Sequence, residues 1–255
     1  MNICRLSLKS GHWIWGEISG EVVSELLLTS SDPLEFIRSD RVFSREDCKF
    51  LIPALPTQLI GIGDNYRRGE EDRKSPVVFQ KPLNSLVPNF STVYLPQNAD
   101  TWGEPEIGLV IKKSCANLSD FSPEEYILGY CLINDTTTLF HSGDKNSHTS
   151  EAKGQAGFCQ IGDIIRTDFS YSSAVITGLV NGHPYRQGPV TMMKWDLRKV
   201  LEEVSKMFAL KPFDIVFTGC PERVSKERTF LNGGEKFRVE VPGLGELCTS
   251  FERKP

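Results

Sequence analysis

The sequence predicts a mainly β (α+β) fold in which a few helices cover mixed sheets. Short segments with alternating apolar and polar residues recur along the 255-residue chain, and turns such as Ser10-Gly11 and Ser19-Gly20 separate them. Helical signals are few. The apolar residues from Leu197 to Phe208 recur at helical spacing, and Ser122-Pro123-Glu124-Glu125 is a helix start with a capping box. Strands are therefore expected to dominate.

Composition narrows the class of protein. The net charge is −4 and there is no basic stripe, so neither nucleic acid nor a membrane surface is an expected partner. No window approaches the run of about 20 apolar residues that a membrane span needs, and the first ten residues do not resemble a leader. A cytoplasmic location is expected. The seven cysteines are scattered and are interpreted as reduced thiols.

The chain divides into two predicted parts. Residues 1–55 are predicted to form a small N-terminal domain, because N-I-C-R-L-S-L and W-I-W-G-E-I alternate as in a small meander. Asp32-Pro33 then opens a polar stretch with helical potential. Pro53 and Pro56 mark the join to residues 56–255, which are predicted to form the catalytic domain.

The second part contains several short elements. Leu59 to Ile62 reads as a buried strand, and the charged residues after Asn65 are typical of a solvated loop. Lys153-Gly154 lies in a predicted glycine-interrupted loop. Val175 to Val180 and the residues after Asn181-Gly182 are predicted to form a hairpin.

Two glutamates stand out in the segment W-G-E-P-E-I-G-L-V-I. Its apolar residues share one parity, and Glu104 and Glu106 share the other, as in a half-buried strand. Two carboxylates on one strand face repel each other unless a proton or a cation lies between them. Carboxylate oxygens suit Mg²⁺, with Mn²⁺ or Ca²⁺ as alternatives. A solvated pair of surface charges is the other interpretation.

A third acid follows another apolar segment. In Y-I-L-G-Y-C-L-I-N-D, Asp135 comes at the end of a predicted strand, and the preceding residues carry it towards the interior. Asp135 is therefore a candidate third oxygen ligand.

The order of these segments resembles the fumarylacetoacetate hydrolase (FAH) superfamily from about Leu59 to Cys248, in particular its acylpyruvase and 2-hydroxyhepta-2,4-diene-1,7-dioate isomerase branch. Eight short motifs carry the resemblance: G-D-N-Y at 63–66, F-Q-K-P at 79–82, the E-x-E of Glu104 and Glu106, G-Y…N-D ending at Asp135, Lys153-Gly154, N-G…Q ending at Gln187, T-G-C-P at 218–221 and G-L-G at 243–245.

The resemblance implies an FAH-type roll of mixed sheets, usually dimeric, with one divalent cation. The metal ligands it implies are Glu104, Glu106 and Asp135. Lys153 would be a catalytic lysine beside the metal. The substrate-binding residues expected from the motifs and the adjoining loop are Tyr66, Arg67, Lys81, Gln187, Thr218 and Gly219.

The implied chemistry concerns small 2-oxo or dicarbonyl carboxylic acids. Family hydrolases carry a histidine after N-Y-x-x, but this chain has Gly69 there, and Leu139 replaces an arginine of the family pattern. Because a general base contributes about 10²- to 10⁴-fold in rate, isomerisation, tautomerisation, decarboxylation or another lyase reaction is preferred. Hydrolysis of a C–C bond is the alternative, as is a metal-binding homologue without activity.

Candidate replacements lie in the charged loop after Asn65 and at Arg223. Glu70, Glu71 or Asp72 would serve as a base in place of the histidine, and Arg67, Arg68 or Arg223 would replace the missing cation.

Overall fold

Strands make up most of the regular structure, which confirms the predicted mainly β class. The computed structural model describes residues 1–66, 74–141, 149–225 and 229–253. In chain order its strands are β1 (Asn2–Leu8), β2 (Trp13–Ser19), β3 (Val22–Ser31), β4 (Leu34–Ser44), β5 (Cys48–Leu51), β6 (Leu59–Gly63), β7 (Val77–Lys81), β8 (Leu86–Val87), β9 (Thr92–Leu95), β10 (Ala99–Trp102), β11 (Pro105–Ile111), β12 (Ile127–Asp135), β13 (Thr137–Phe140), β14 (Cys159–Ile161), β15 (Ile165–Arg166), β16 (Val175–Val180), β17 (His183–Pro189), β18 (Ile215–Phe217), β19 (Lys236–Val241) and β20 (Gly245–Arg253).

Helices are short and few among the described residues. The α-helices are α1 (Thr149–Lys153) and α2 (Leu197–Met207), and single 3-10 turns occur at Arg45–Asp47, Leu83–Ser85, Pro123–Glu125, Tyr171–Ser173 and Val190–Met192. None of these elements has the length and apolar character that a helix needs to cross a membrane.

The strands form mixed sheets. A 13-stranded sheet runs in the order β4-β3-β2-β1-β15-β12-β11-β18-β6-β7, and β5, β8 and β14 join it off this path. A five-stranded sheet has the order β17-β16-β19-β20-β9, and β10 pairs with β13. Most neighbours are antiparallel, but β6 with β18, β8 with β14 and β9 with β20 are parallel.

Strand β11 lies at the centre of this arrangement. The sequence predicts a half-buried strand, but all seven residues from Pro105 to Ile111 are buried. Ile107 belongs to a core shared with Phe251 of the five-stranded sheet, and Val110, on the opposite parity, belongs to a second core that includes Trp15 of β2. Both faces of the strand are therefore covered. The face that carries the alternating apolar residues is only one of its two buried faces.

The polar stretch after Asp32-Pro33 is a strand, and the helical potential assigned to it is wrong. Residues Leu34–Ser44 form β4, which pairs antiparallel with β3 at the edge of the large sheet. Charged residues of this edge strand are exposed on both parities, so their spacing does not follow the strand period of two and resembles a helix face: Glu35, Arg38, Asp40 and Arg41.

Four other predictions have mixed outcomes. The hairpin through Asn181-Gly182 and the helix from Leu197 are confirmed. The helix start at Ser122 is confirmed as a single 3-10 turn, in which the Ser122 amide donates to Glu125 Oε1 at 3.3 Å. The predicted loop at Lys153 is instead the end of helix α1.

The N-terminal strands continue the large sheet. Strand β1 pairs with β15, with Asn2 opposite Arg166. This pairing joins the two parts through one hydrogen-bonded sheet. The division into domains 1–55 and 56–255 stays a prediction.

Candidate metal centre

Two neighbouring strands bring the three predicted acids together. Strands β11 and β12 are antiparallel, with Pro105 opposite Asn134. The Asp135 amide donates to the Glu104 carbonyl at 2.9 Å, and the Glu104 amide donates to Asn134 Oδ1 at 2.9 Å. This register places Asp135 beside Glu104, while Glu106 lies two residues further along β11.

The carboxylates converge closely enough to share a cation. One oxygen each from Glu104, Glu106 and Asp135 lies within 4.8 Å of the others. Two oxygens on opposite sides of Mg²⁺ are about 4.2 Å apart, and on Ca²⁺ about 5 Å. The three acids therefore fit one divalent cation and would leave its remaining positions to water or substrate oxygens.

Two lysines contact the acids. Lys153 Nζ donates to Glu104 Oε2 at 2.6 Å and to Asp135 Oδ2 at 2.5 Å. Lys81 Nζ donates to Asp135 Oδ1 at 2.5 Å and to the Thr136 carbonyl at 3.2 Å. The sequence predicts that Lys81 binds substrate, but the structure places its side chain against Asp135 with no exposed surface.

Charge and burial shift the pKa values of Glu104 and Glu106 in opposite directions. Burial would raise the pKa of Glu104, but the charges of Lys153 and Arg186 outweigh it and lower the pKa to about 2. Burial and then the Asp135 charge raise the pKa of Glu106 well above its usual value. A cation between these acids would remove the repulsion that acts on Glu106.

Glu106 is held by residues that directly follow strand β18. The Gly219 amide donates to Glu106 Oε2 at 2.7 Å, and Thr218 Oγ1 donates to the Ile107 carbonyl at 3.0 Å. Gly219 has a φ of +96°, and a Cβ there would lie 2.7 Å from Asn65. Both residues are predicted to bind substrate, and the structure gives them contacts with β11.

A cavity of about 570 Å³ opens on the acids. Residues from seven separated parts of the chain line it. The predicted ones are Tyr66, Glu104, Glu106, Asp135, Lys153 and Arg223, and the others are Ile62, Gly63, Asp64, Phe79, Thr137, Arg186, Cys220, Glu222, Val224 and Ser225. The Tyr66 hydroxyl is buried and has no hydrogen-bond partner among the described residues.

Arg186 is the principal residue that sequence reasoning missed. Its Nη2 lies 3.7 Å from Glu104 Oε1, and its Nη1 donates to the Pro221 carbonyl at 2.9 Å. The neighbouring Gln187, the predicted substrate-binding residue, is exposed and donates to Thr177 Oγ1 at 3.0 Å. Successive strand residues point to opposite sides, so the structure brings Arg186 to the cavity and leaves Gln187 outside it.

Other sequence-derived candidates have separate outcomes. Arg67, Arg68, Glu70, Glu71 and Asp72 lie outside the described residues. Arg223 lines the cavity, whereas Leu139, which replaces an arginine of the family pattern, is 40% exposed and does not line it.

A mixed β roll with three carboxylates converging at one cavity defines the class of the fumarylacetoacetate hydrolase enzymes. The chain belongs to this family: the family model described as fumarylacetoacetate (FAA) hydrolase C-terminal matches residues 59–252.

Solved structures of similar fold include two mycobacterial isomerases. The 5-carboxymethyl-2-hydroxymuconate delta-isomerase from Mycobacterium smegmatis is 27% identical, with a TM-score of 0.87 and full coverage of both chains. The 2-hydroxyhepta-2,4-diene-1,7-dioate isomerase from Mycobacterium marinum is 25% identical, with a TM-score of 0.86, covering 100% of this chain and 99% of that one.

A hydrolase shares the same fold. The maleylpyruvate hydrolase from Sphingobium sp. SYK-6, solved with manganese(II) and pyruvate, is 18% identical, with a TM-score of 0.78 and full coverage of both chains. Isomerases and a hydrolase thus both have this fold, and the fold does not choose between the two reactions.

Proposed function

We propose that this chain is a divalent-metal-dependent enzyme that acts on a 2-oxo acid or a β-dicarbonyl carboxylic acid by enolate chemistry. The observation that carries the proposal is the convergence of three carboxylate oxygens within 4.8 Å at a cavity that Lys153 also lines. Glu104, Glu106 and Asp135 would hold the cation. We further propose Mg²⁺ as that cation, with Mn²⁺ or Ca²⁺ as alternatives, because hard oxygen ligands suit these ions.

A bound cation would supply Lewis-acid chemistry to the oxygens of a 2-oxo acid. Lys153 adds a second positive group at the same place. Its ammonium already contacts two of the acids, and the charges of Asp135 and Glu104 outweigh its burial and raise its pKa, so it stays protonated. A protonated amine can donate a hydrogen bond to a substrate oxygen on which negative charge develops.

Lys81 has a supporting role in this proposal. Its fully buried ammonium donates to Asp135 Oδ1, whereas Lys153 donates to the other oxygen, Oδ2. Such a contact restricts the rotation of the carboxylate and so fixes the direction of a metal ligand.

Isomerisation, tautomerisation, decarboxylation or another lyase reaction is the proposed reaction class. No histidine is among the described residues that line the cavity, and Gly69 occupies the sequence position where family hydrolases carry one. The likeness to two mycobacterial isomerases supports the same choice. A reaction completed by proton transfer on an enolate does not need an activated water molecule.

Hydrolysis is the second candidate. Glu222 lines the cavity and is not one of the three converging acids, and Glu70 and Asp72 follow the N-Y motif in sequence. Any of these carboxylates would have to replace the family histidine as a base. The Sphingobium maleylpyruvate hydrolase, solved with manganese(II) and pyruvate, motivates this alternative.

The remaining expectations are also proposals. We propose a small-molecule substrate, a cytoplasmic location and a homodimer, with neither nucleic acid nor a membrane as partner. The dimer is tested by sedimentation equilibrium of the full chain at several concentrations. A single species with a mass near 28.6 kDa would contradict it.

The metal centre is tested by calorimetry. We expect the protein to bind one Mg²⁺ or Mn²⁺ per chain, and Glu106→Ala to lose most of that affinity because one of three ligands is absent. Exposed Glu252→Ala is the control. Equal affinity of Glu106→Ala and the unmodified protein would contradict the assignment.

The reaction class is tested with acylpyruvates and oxaloacetate in ¹⁸O-labelled water. We expect enol–keto exchange or decarboxylation without incorporation of ¹⁸O into a new carboxylic acid product. Efficient incorporation would establish hydrolysis instead. Metal binding with no turnover of any of these compounds would support a non-catalytic homologue.

A further inference from the structure

We infer that Trp102 is a positioning residue for the metal centre, because its indole N–H fixes one oxygen of Glu104 and thereby directs the other towards Asp135. The inference rests on the proposed metal centre. Trp102 Nε1 donates to Glu104 Oε1 at 2.8 Å. A neutral N–H donor holds a carboxylate strongly and, unlike an ammonium, adds no full positive charge that would repel a cation.

The two oxygens of Glu104 have different partners. Oε1 accepts the indole N–H, whereas Oε2 accepts from Lys153 Nζ at 2.6 Å. The same Lys153 nitrogen donates to Asp135 Oδ2 at 2.5 Å. Glu104 Oε2 and Asp135 Oδ2 therefore converge on the same position, which the Lys153 nitrogen contacts. Trp102 defines which oxygen of Glu104 turns to that point.

Arg186 is the other group near Glu104 Oε1. Its Nη2 lies 3.7 Å away, which is beyond a hydrogen bond and leaves only a charge interaction. The short directional contact belongs to Trp102. Its equivalent at Glu106 is the backbone amide of Gly219, which donates at 2.7 Å. Each glutamate thus has one oxygen fixed by an uncharged N–H group.

The backbone places the indole where it can act. Trp102 is the last residue of β10 and pairs with Thr137 of β13, which also lines the cavity. Gly103 follows it, and a Cβ at this position would lie 2.5 Å from the Phe237 ring. The chain therefore passes directly over that ring between the indole and the carboxylate, and only glycine fits there.

The backbone of Glu104 is fixed as well. Its amide donates to Asn134 Oδ1 at 2.9 Å, and its carbonyl accepts from the Asp135 amide at 2.9 Å. With the main chain held, side-chain rotation is the freedom that remains, and the indole contact restricts it. Loss of a group that orients a metal ligand typically lowers metal affinity or activity by about 10- to 100-fold.

The test measures Mn²⁺ affinity by calorimetry for the unmodified protein and Trp102→Phe. Phenylalanine keeps an aromatic ring beside Phe230 and removes the N–H donor. We expect the Kd to rise by about tenfold or more, with kcat falling in proportion at limiting metal. Trp13→Phe, at a tryptophan that is 54% exposed, is the control and should keep the unmodified Kd.

A second variant separates the hydrogen bond from packing. Benzothienylalanine incorporated at position 102 keeps the size and shape of tryptophan and replaces its N–H with sulfur. We expect the same rise in Kd with a melting temperature close to that of the unmodified protein. If Trp102→Phe does not fold, this variant alone decides the question.

Fluorescence gives a readout independent of affinity and activity. An Mn²⁺ ion held by Glu104 should quench the emission of Trp102, and Trp102→Phe should lose this quenched component at saturating Mn²⁺. If the unmodified protein binds no Mn²⁺, the metal centre itself is wrong. If it binds Mn²⁺ and both position-102 variants bind equally tightly, only the positioning role is wrong.

Discussion

Lys81 and Lys153 approach the same carboxylate, Asp135, in two different environments. Lys81 contacts Oδ1 from within the protein, and its side chain is 0% exposed. Lys153 contacts Oδ2 from the cavity side, and its side chain is 12% exposed and also contacts Glu104. One lysine therefore has a single carboxylate partner and no access to the cavity, whereas the other has two partners and lines it.

This difference sets their charge behaviour. Burial lowers the pKa of Lys81, and the Asp135 charge offsets only part of that effect. Burial acts on Lys153 in the same direction, but Asp135 and Glu104 together outweigh it and raise the pKa. Glu104 is the second carboxylate partner that Lys153 has and Lys81 lacks, and the pKa values of the two lysines shift in opposite directions. Lys153, with two acidic partners, can stay charged in the cavity and contact a substrate. Lys81 has no access to the cavity, and its role is structural.

The largest expected effect is on turnover in Lys153→Met. We expect kcat to fall by about 10²- to 10³-fold, because a positive group that faces the reacting oxygen is lost. Metal affinity should change far less, since all three carboxylates remain. Steady-state kinetics and calorimetry measure the two quantities. Equal losses in both would make Lys153 a structural residue like Lys81.

Lys81→Met tests the opposite side of Asp135. Removing one partner of a buried ion pair costs about 3 kcal/mol or more, because the remaining charge stays buried. We expect the free energy of unfolding in urea to fall by about 3 kcal/mol in EDTA. Lys113→Met, at a more exposed pair with Glu125, should change it by less than about 1 kcal/mol. Similar small changes for both variants would contradict the distinction.

The smallest expected effect concerns Glu106 in EDTA. Its pKa is raised by burial and by Asp135, so between its unfolded and folded pKa values the folded state binds more protons. The free energy of unfolding therefore falls as pH rises through this range, and the loss is complete above the folded pKa.

Glu106→Gln removes this titration. It should match the unmodified protein near pH 4 and exceed its stability at neutral pH by about 1 kcal/mol or more, since one pKa unit corresponds to about 1.4 kcal/mol. Melting curves between pH 4 and 8 measure the difference. A variant less stable than the unmodified protein throughout that range would show that burial and Asp135 do not penalise the charged form.

Much of the candidate metal centre could be predicted because its three carboxylates follow local rules. Glu104 and Glu106 share strand parity, and Asp135 ends the neighbouring strand, so short segments of sequence carry the information. The family motifs then relate these segments to one another. The same rules identified the hairpin at Asn181-Gly182, where two residues with positive φ form the turn.

Other features depend on contacts between distant residues. The burial of β11 on both faces requires the five-stranded sheet on one face and the core that includes the N-terminal strands on the other, neither of which is visible in the segment itself. The distinction between Arg186 and Gln187 depends on which face of β17 meets the cavity. The edge strand β4 mimics a polar helix face because its charged residues are exposed on both sides of the strand.

The close approach of Gly103 to Phe237 has a consequence for evolution. An alanine at position 103 would collide with a ring that is 1% exposed and cannot move aside, whereas a smaller side chain at 237 would leave room. The two positions are therefore epistatic, and the order of substitution matters. A lineage must first lose the ring in the core before it can gain a side chain next to Glu104, so the sequence around the metal centre can change only by a path that begins in the opposite sheet.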